Sequence, residues 1–266
     1  MKEKFKIGII GCGNISSIYF ENLQKSSLLE IVACADLLKE RAQEKASKYQ
    51  VPHVYSVEEL LNDSEIQLVV NLTIPQAHSE VTLKAIGAGK HVYTEKPLAL
   101  TKEEGLKILN AAQKQGVCVG NAPDTFLGAG LQTCRALIDQ GVIGEPLAGS
   151  AFMMCHGHES WHPNPDFYYQ KGGGPLFDMG PYYLTALVFL VGPVKSVQAL
   201  AKVSFPERII TSQPRKGEKI KVEVPTHVTA ILNLDNELPV SFVTSFDVWA
   251  ARLPSVSYTH LTLPTN

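Results

Sequence analysis

The stretch "IGIIGCGNIS", residues 7–16, decides how the first half of the chain is read. An apolar run ends on Gly11, and Gly13 and the small Ser16 follow at the spacing of a tight strand-to-helix turn. Gly11 permits the turn. Gly13 lets the backbone approach a pyrophosphate, and the helix that follows offers free N–H groups and the positive end of its dipole to that anion. Gly11, Cys12, Gly13, Asn14 and Ile15 are therefore the candidate pyrophosphate contacts, with Asn14 also able to cap the helix. Asp36 closes the next apolar run, "EIVACAD", where an acidic side chain can accept from both ribose hydroxyls and repel a 2′-phosphate. The pattern favours NAD over NADP.

Outward from this motif, strand and helix signals alternate through the first 120 residues. "FKIGII", "EIVACA", "HVY", "IQLVVNLTI", "KHVYT" and "VCVGN" are short and rich in Val and Ile, as strands buried on both faces should be. Between them, Ser56 with Glu59 and Thr101 with Glu104 have capping-box spacing, and Gly89 and Gly116 stand where helices should stop. This predicts a doubly wound parallel sheet over residues 1–123. After a helix near 126–140, "PLAGSAFMMCH", "VKSVQALAKVSF", "THVTAILNL" and "LPVSFVTSF" have strand character, with "DNE" as a hairpin turn and one helix near 181–190. Residues 124–255 are thus predicted to form an α+β domain with a mostly antiparallel open sheet.

Bulk properties narrow the partners. A net charge of −2 without a basic block offers no field for nucleic acid or an anionic membrane. The five cysteines are scattered and odd in number, which points to a reducing compartment, and "MKEKFKIGIIG" lacks the form of a signal peptide. "YYLTALVFLVGPV" is shorter than the roughly 18 residues of a membrane span. A cytoplasmic protein is expected.

Several motifs together resemble the Gfo/Idh/MocA oxidoreductases: "IGIIGCGNIS", "TIPQAH", "AGKHVYTEKPLA", "LIDQGVIGEP" and "GGGPLFDMGPYY". The resemblance covers about residues 5–255 and implies a Rossmann domain followed by a substrate and oligomerisation domain. It also implies NAD(P)-dependent chemistry on a sugar, sugar acid or cyclitol, and a homo-oligomer for the full-length protein. Thr73, Pro75, His78, Glu95, Lys96 and Asn121 become candidate cofactor contacts at the carboxyl edge of the sheet, and the Lys96–Pro97 bond is expected to be cis. Two features depart from the family. Many members carry a histidine four residues after the second-domain aspartate, where this chain has Tyr182. "VSYTHLTLPTN", residues 256–266, is similar to a translated sequencing adapter; we read it as a non-native tail on a truncated chain and set it aside.

Oxidising a secondary alcohol requires a hydride acceptor, a group that takes the hydroxyl proton and donors that hold the developing alkoxide. Lys96 suits the last and can share the second; Asp178 and Tyr182 are its expected partners, four residues apart and approximately on one face, with Asp178 just outside the N-terminus of a helix that begins near Gly180. A stripe of Leu184, Leu187, Val188 and Val191 lies opposite Tyr182 and would leave it facing a pocket. "MMCHGHESWHPNPDFYYQKGGG" reads as a polar aromatic loop in which His158, Trp161 and His162 bind sugar. Its histidines raise a metal question, with Glu159 and Asp166 nearby, but hydride transfer to NAD needs no Lewis acid and no metal is assigned. Two rival readings remain: a redox-neutral NAD-using enzyme (epimerase, aldose–ketose oxidoreductase or glycosidase) and a non-catalytic NAD-binding regulator.

Overall fold

The computed structural model describes residues 4–250 and the backbone of 259–262. It divides into two compact units, Met1–Ala122 and Pro123–Asn266. Among the described residues no helix is long and apolar enough to cross a membrane.

The first unit alternates strand and helix in the order β1 (Phe5–Ile10), α1 (Ser16–Leu23), β2 (Leu29–Ala35), α2 (Lys39–Tyr49), β3 (His53–Tyr55), α3 (Val57–Asn62), β4 (Leu68–Asn71), α4 (Pro75–Gly87), β5 (His91–Thr94), α5 (Lys102–Gln115) and β6 (Val119–Asn121). Its six strands lie in the order β3-β2-β1-β4-β5-β6, and every pairing is parallel. The order reverses between β1 and β4, so a crevice opens at their carboxyl ends, where such sheets bind ligands.

Two cores sandwich this sheet. Ile7 and Ile9 pack with Phe20 and Ala42 on one face, whereas Ile10 joins Leu60, Val69 and Ile86 on the other. Gly8 belongs to the second face, because a Cβ there would lie 2.7 Å from Leu60. Between the pairs Ile7–Ile31 and Gly8–Ala33 the register slips by one residue. Val32 and Ala33 therefore both contact the second core, while Ile31 and Cys34 face the first.

Ser56 forms a complete capping box with Glu59, and the Glu59 carboxyl is held below its usual value by these bonds to Ser56. The predicted second box is only half made. Thr101 accepts from the Glu104 N–H, but the Glu104 carboxylate reaches one residue further, to the Leu100 N–H at 3.0 Å. Gly116 ends α5 at φ +70°, and Gly89 at φ +75° follows α4, both as read from sequence.

The second unit runs α6 (Ala129–Asp139), β7 (Ala148–Met154), α7 (Gly174–Asp178), α8 (Gly180–Val191), β8 (Val194–Lys202), β9 (Glu207–Ile209), β10 (Lys219–Lys221), β11 (His227–Leu234), β12 (Pro239–Ser245) and β13 (Thr259–Thr262). Five strands form a sheet in the order β13-β7-β12-β11-β8, and β9 and β10 form a separate hairpin. The β7–β12 pairing is parallel within an otherwise antiparallel sheet. The predicted "DNE" turn joins β11 to β12, with Glu237 in the left-handed region at φ +62° and the Leu234 N–H bonded to the Leu238 carbonyl. Strands β11 and β12 alternate buried and exposed residues, and their buried set packs on Tyr183, Leu187, Leu190 and Val191 of α8. All nine residues of β8 are exposed.

Two sequence expectations change here. The β9–β10 hairpin was not foreseen, because its three-residue strands are too short to show a period. The single helix near 181–190 is preceded by a separate one-turn helix, α7, broken from α8 at Met179. The tail assigned to 256–266 falls mostly outside the described residues; within it, the Thr259–Thr262 backbone pairs with β7.

Candidate active site

The carboxyl edge of the first sheet is held together chiefly by backbone and short polar groups. Gly11 sits at φ +101°, and a Cβ there would come within 2.6 Å of the Leu72 carbonyl. Its N–H bonds to the Ala35 carbonyl at 2.9 Å, tying the turn to β2. Asp36 extends the same tie. Its Oδ2 accepts the Cys12 N–H at 2.7 Å and its Oδ1 accepts the Leu38 N–H at 2.9 Å. Each carboxylate oxygen keeps a further acceptor position for a ribose hydroxyl.

Asn14 does not cap α1. The Gly13 carbonyl takes both the Ser16 N–H at 3.2 Å and the Ser16 hydroxyl at 2.6 Å, so the helix starts one residue later than expected. The cap position falls on Ile15, whose side chain has no acceptor, and the first turn carries no acidic residue. A Cβ on Gly13 would meet nothing within 4 Å. A helix start without a side-chain acceptor, beside open space at Gly13, fits a pyrophosphate. The residues present therefore suit a dinucleotide.

At the end of β5 the chain turns through Glu95 and Lys96, and the Lys96–Pro97 bond is cis. Glu95 Oε1 accepts the Tyr19 hydroxyl at 2.6 Å, and Oε2 accepts the Lys96 N–H at 3.0 Å. Asn121 donates to the Thr94 and Glu95 carbonyls at 3.0 and 3.1 Å. Thr73 bonds to the Asn71 side chain through both its N–H and its hydroxyl. Pro75 opens α4 in its first turn.

His78 was expected to touch the cofactor, but it is 1% exposed. Its ring nitrogens lie 2.6 Å from the Pro97 carbonyl and 2.9 Å from the Thr73 carbonyl. It thus staples the β4 turn to the Lys96–Pro97 turn rather than offering a nitrogen outward. Tyr19 is the residue that sequence reading missed here; its place one helical turn after Ser16 is the signal that could have found it.

In the second unit, Asp178 ends α7 whereas Tyr182 lies in α8, so the one-face argument fails at the Met179 break. Met179 takes the cap position of α8. The buried stripe of α8 is Tyr183, Ala186, Leu187, Leu190 and Val191, so only Leu187 and Val191 of the expected four are fully buried. Val188 is exposed, and Leu184 and Tyr182 are half-buried against the core.

Asp178 meets the histidine-rich loop. Its Oδ2 lies 2.9 Å from His158 Nε2, and Trp161 Nε1 donates to His158 Nδ1 at 3.2 Å. Beneath the loop is a buried polar network. Arg208 joins Glu159 at 2.7 Å, the His156 carbonyl at 2.9 Å and the Asp247 carboxylate, while Tyr169 donates to Glu159. Burial, with help from Glu159, raises the Tyr169 hydroxyl above its usual pKa; burial and the Asp178 charge do the same to Tyr168. Gly157, at φ +102°, is the only residue that fits above this network, since a Cβ would lie 2.4 Å from Tyr169 Oη. His162 accepts the Asn164 N–H, and burial lowers it below the usual histidine value. Trp161 is 59% exposed. Among the described residues no group of three or more His, Cys, Asp or Glu converges to hold a metal.

Comparison with known proteins adds a frame for both units. The family description "Oxidoreductase family, NAD-binding Rossmann fold" (GFO_IDH_MocA) matches residues 5–122, and "GFO/IDH/MocA C-terminal domain" matches 131–259. Inositol 2-dehydrogenase of Salmonella typhimurium is 33% identical over 161 residues, 57% of this chain and 45% of the relative. The 1,5-anhydro-D-fructose reductase of Ensifer adhaerens is 34% identical over 188 residues, 69% of this chain and 56% of the relative. The chain thus spans about half the length of these curated relatives. Levoglucosan dehydrogenase, solved with NADH and L-sorbose, shares the fold at a TM-score of 0.82 and 23% identity, covering 92% of this chain and 68% of that one.

Proposed function

The chain belongs to the Gfo/Idh/MocA oxidoreductase family, and on that premise we propose that its protein transfers a hydride between NAD and a secondary alcohol of a sugar, sugar acid or cyclitol. The observation that carries the reading is the turn at Gly11–Ser16: its backbone is tied down by Asp36, its helix start lacks a side-chain acceptor, and the space beside Gly13 is open. NAD, when bound, supplies the hydride acceptor. The names of the relatives, which act on inositol and 1,5-anhydro-D-fructose, support a polyol substrate.

The chain's own residues do the remaining work. Asp36 accepts from the ribose hydroxyls while keeping its two backbone donors, which favours NAD over its 2′-phosphorylated form. Glu95, held by Tyr19, fixes the backbone from which Lys96 projects, and His78 fixes the carbonyl of the following proline. Lys96 is assigned to the substrate hydroxyl, where an ammonium stabilises the developing alkoxide and takes part in moving its proton. Asp178 is assigned to orient the substrate by accepting from a hydroxyl, and Tyr182 is assigned to the proton relay.

The full-length gene product, incubated with NAD and a panel of sugars, sugar acids and cyclitols, should form reduced nicotinamide with at least one of them. Lys96→Ala should lower kcat at least about a hundredfold, in the range of losing a group that works only in the transition state. Full activity in that variant would remove Lys96 from the mechanism. Product formation without net reduced nicotinamide would move the assignment to a redox-neutral enzyme.

A further inference from the structure

His158 makes two contacts whose donor and acceptor roles can be assigned. The indole Nε1 of Trp161 can only donate, so His158 Nδ1, 3.2 Å away, must accept. A ring that accepts at Nδ1 carries its proton on Nε2, and that nitrogen lies 2.9 Å from Asp178 Oδ2. The three side chains form a directed chain, Trp161 to His158 to Asp178.

The imidazole is also fixed in orientation. Trp161, Phe246 and Tyr168 surround it with ring centroids at 5.3, 4.6 and 4.2 Å. Its backbone N–H donates to Tyr169 Oη at 3.3 Å, and the neighbouring Glu159 is locked to Arg208. The side chains of His158 and Asp178 are only 14% and 15% exposed, so little water competes for the bond between them.

We propose that His158 is the positioning residue for Asp178: Trp161 selects the imidazole tautomer protonated on Nε2, and this N–H aims the Asp178 carboxylate. His158 then acts through Asp178 rather than binding sugar itself. The kinetic consequence rests on the hydride-transfer reading; the tautomer does not.

Nitrogen-15 spectra of histidine-labelled protein test the tautomer directly, with the His158 signals identified by their loss in His158→Gln. They should show a protonated Nε2 and a bare Nδ1. Trp161→Phe, a substitution at an exposed site, should shift the Nδ1 signal by removing its donor. A ring protonated on Nδ1, or one indifferent to Trp161→Phe, overturns the proposal. For a polyol that the enzyme oxidises, His158→Leu should lower kcat by about tenfold to a hundredfold with KM within about threefold, as for a misplaced reacting group. His158→Gln, whose amide can donate to the same oxygen, should recover most of that loss. Equal losses in the two variants, at matched thermal stability, would also overturn it. If no polyol reacts, the functional reading fails while the spectrum still decides the Trp161–His158–Asp178 chain.

Discussion

The turn at residues 11–16 and the loop at 155–170 solve the same problem by opposite means. In the first, the chain is held mainly by its own backbone: Gly11 bonds to Ala35, Gly13 to Ser16, and a single charged side chain, Asp36, ties two N–H groups. In the second, long side chains do the holding. Glu159, Tyr169, Arg208 and Asp247 meet in a buried cluster beneath His158. A backbone-built site tolerates no extra atom where its strands touch but is indifferent a residue or two away. A side-chain-built site concentrates its stability in a few charges, and losing one leaves the others unpaired in a dry interior.

That contrast can be broken by mutation. Arg208→Met should have the largest effect, since it abandons Glu159 and Asp247, whose side chains are 4% and 9% exposed. Removing one partner of a buried ion pair costs about 3–5 kcal/mol; a loss below about 1 kcal/mol in urea unfolding would show the network to be replaceable. The two glycines of the turn should then separate. Gly11→Ala meets the Leu72 backbone at positive φ and should cost about 1–3 kcal/mol or more in strain. Gly13→Ala meets nothing, so stability should stay within about 0.5 kcal/mol, as for substitutions that disturb no packing. NAD affinity, read by calorimetry, should nevertheless fall at least tenfold, about 1.4 kcal/mol. Unchanged affinity in Gly13→Ala would mean that this turn is not the pyrophosphate cradle.

Smaller effects sharpen the picture. Asp36→Asn keeps one acceptor oxygen and should leave either the Cys12 or the Leu38 N–H unserved, at about 1–2 kcal/mol. His162 provides a pH test. Burial lowers its folded pKa below the usual 6.5, so the unfolded chain binds more protons just below that pH. Its contribution to stability is fully present above pH 6.5 and declines as pH falls through the window below it. The urea midpoint should follow that slope, and His162→Phe should flatten it.

The same contrast explains what the sequence could disclose. Gly11, Gly13 and Asp36 act through backbone geometry over short spacings, and short spacings are what a sequence displays. Ser56 and Glu59 are legible for the same reason. His158 and Asp178 lie twenty positions apart with no period linking them, and Arg208 is farther still, so their meeting depends on how β7, α7 and β9 come together. The stripe on α8 was misplaced because nearly every residue from Tyr182 to Val191 is apolar, leaving little contrast for periodicity to find. The half-made box at Thr101 differs from that at Ser56 only in where the glutamate reaches, a choice of rotamer that residue types do not encode.

The parallel pairing of β7 with β12 has a kinetic consequence. Gly149 pairs with Val240, about ninety positions later, so the second sheet cannot close until nearly all of the described chain has been synthesised. Every strand pair of the first unit lies within residues 5–121. On the ribosome, where domains generally fold as units from the N-terminus, the six-stranded sheet can form while the loop carrying His158 still waits for Arg208 and Asp247 to emerge.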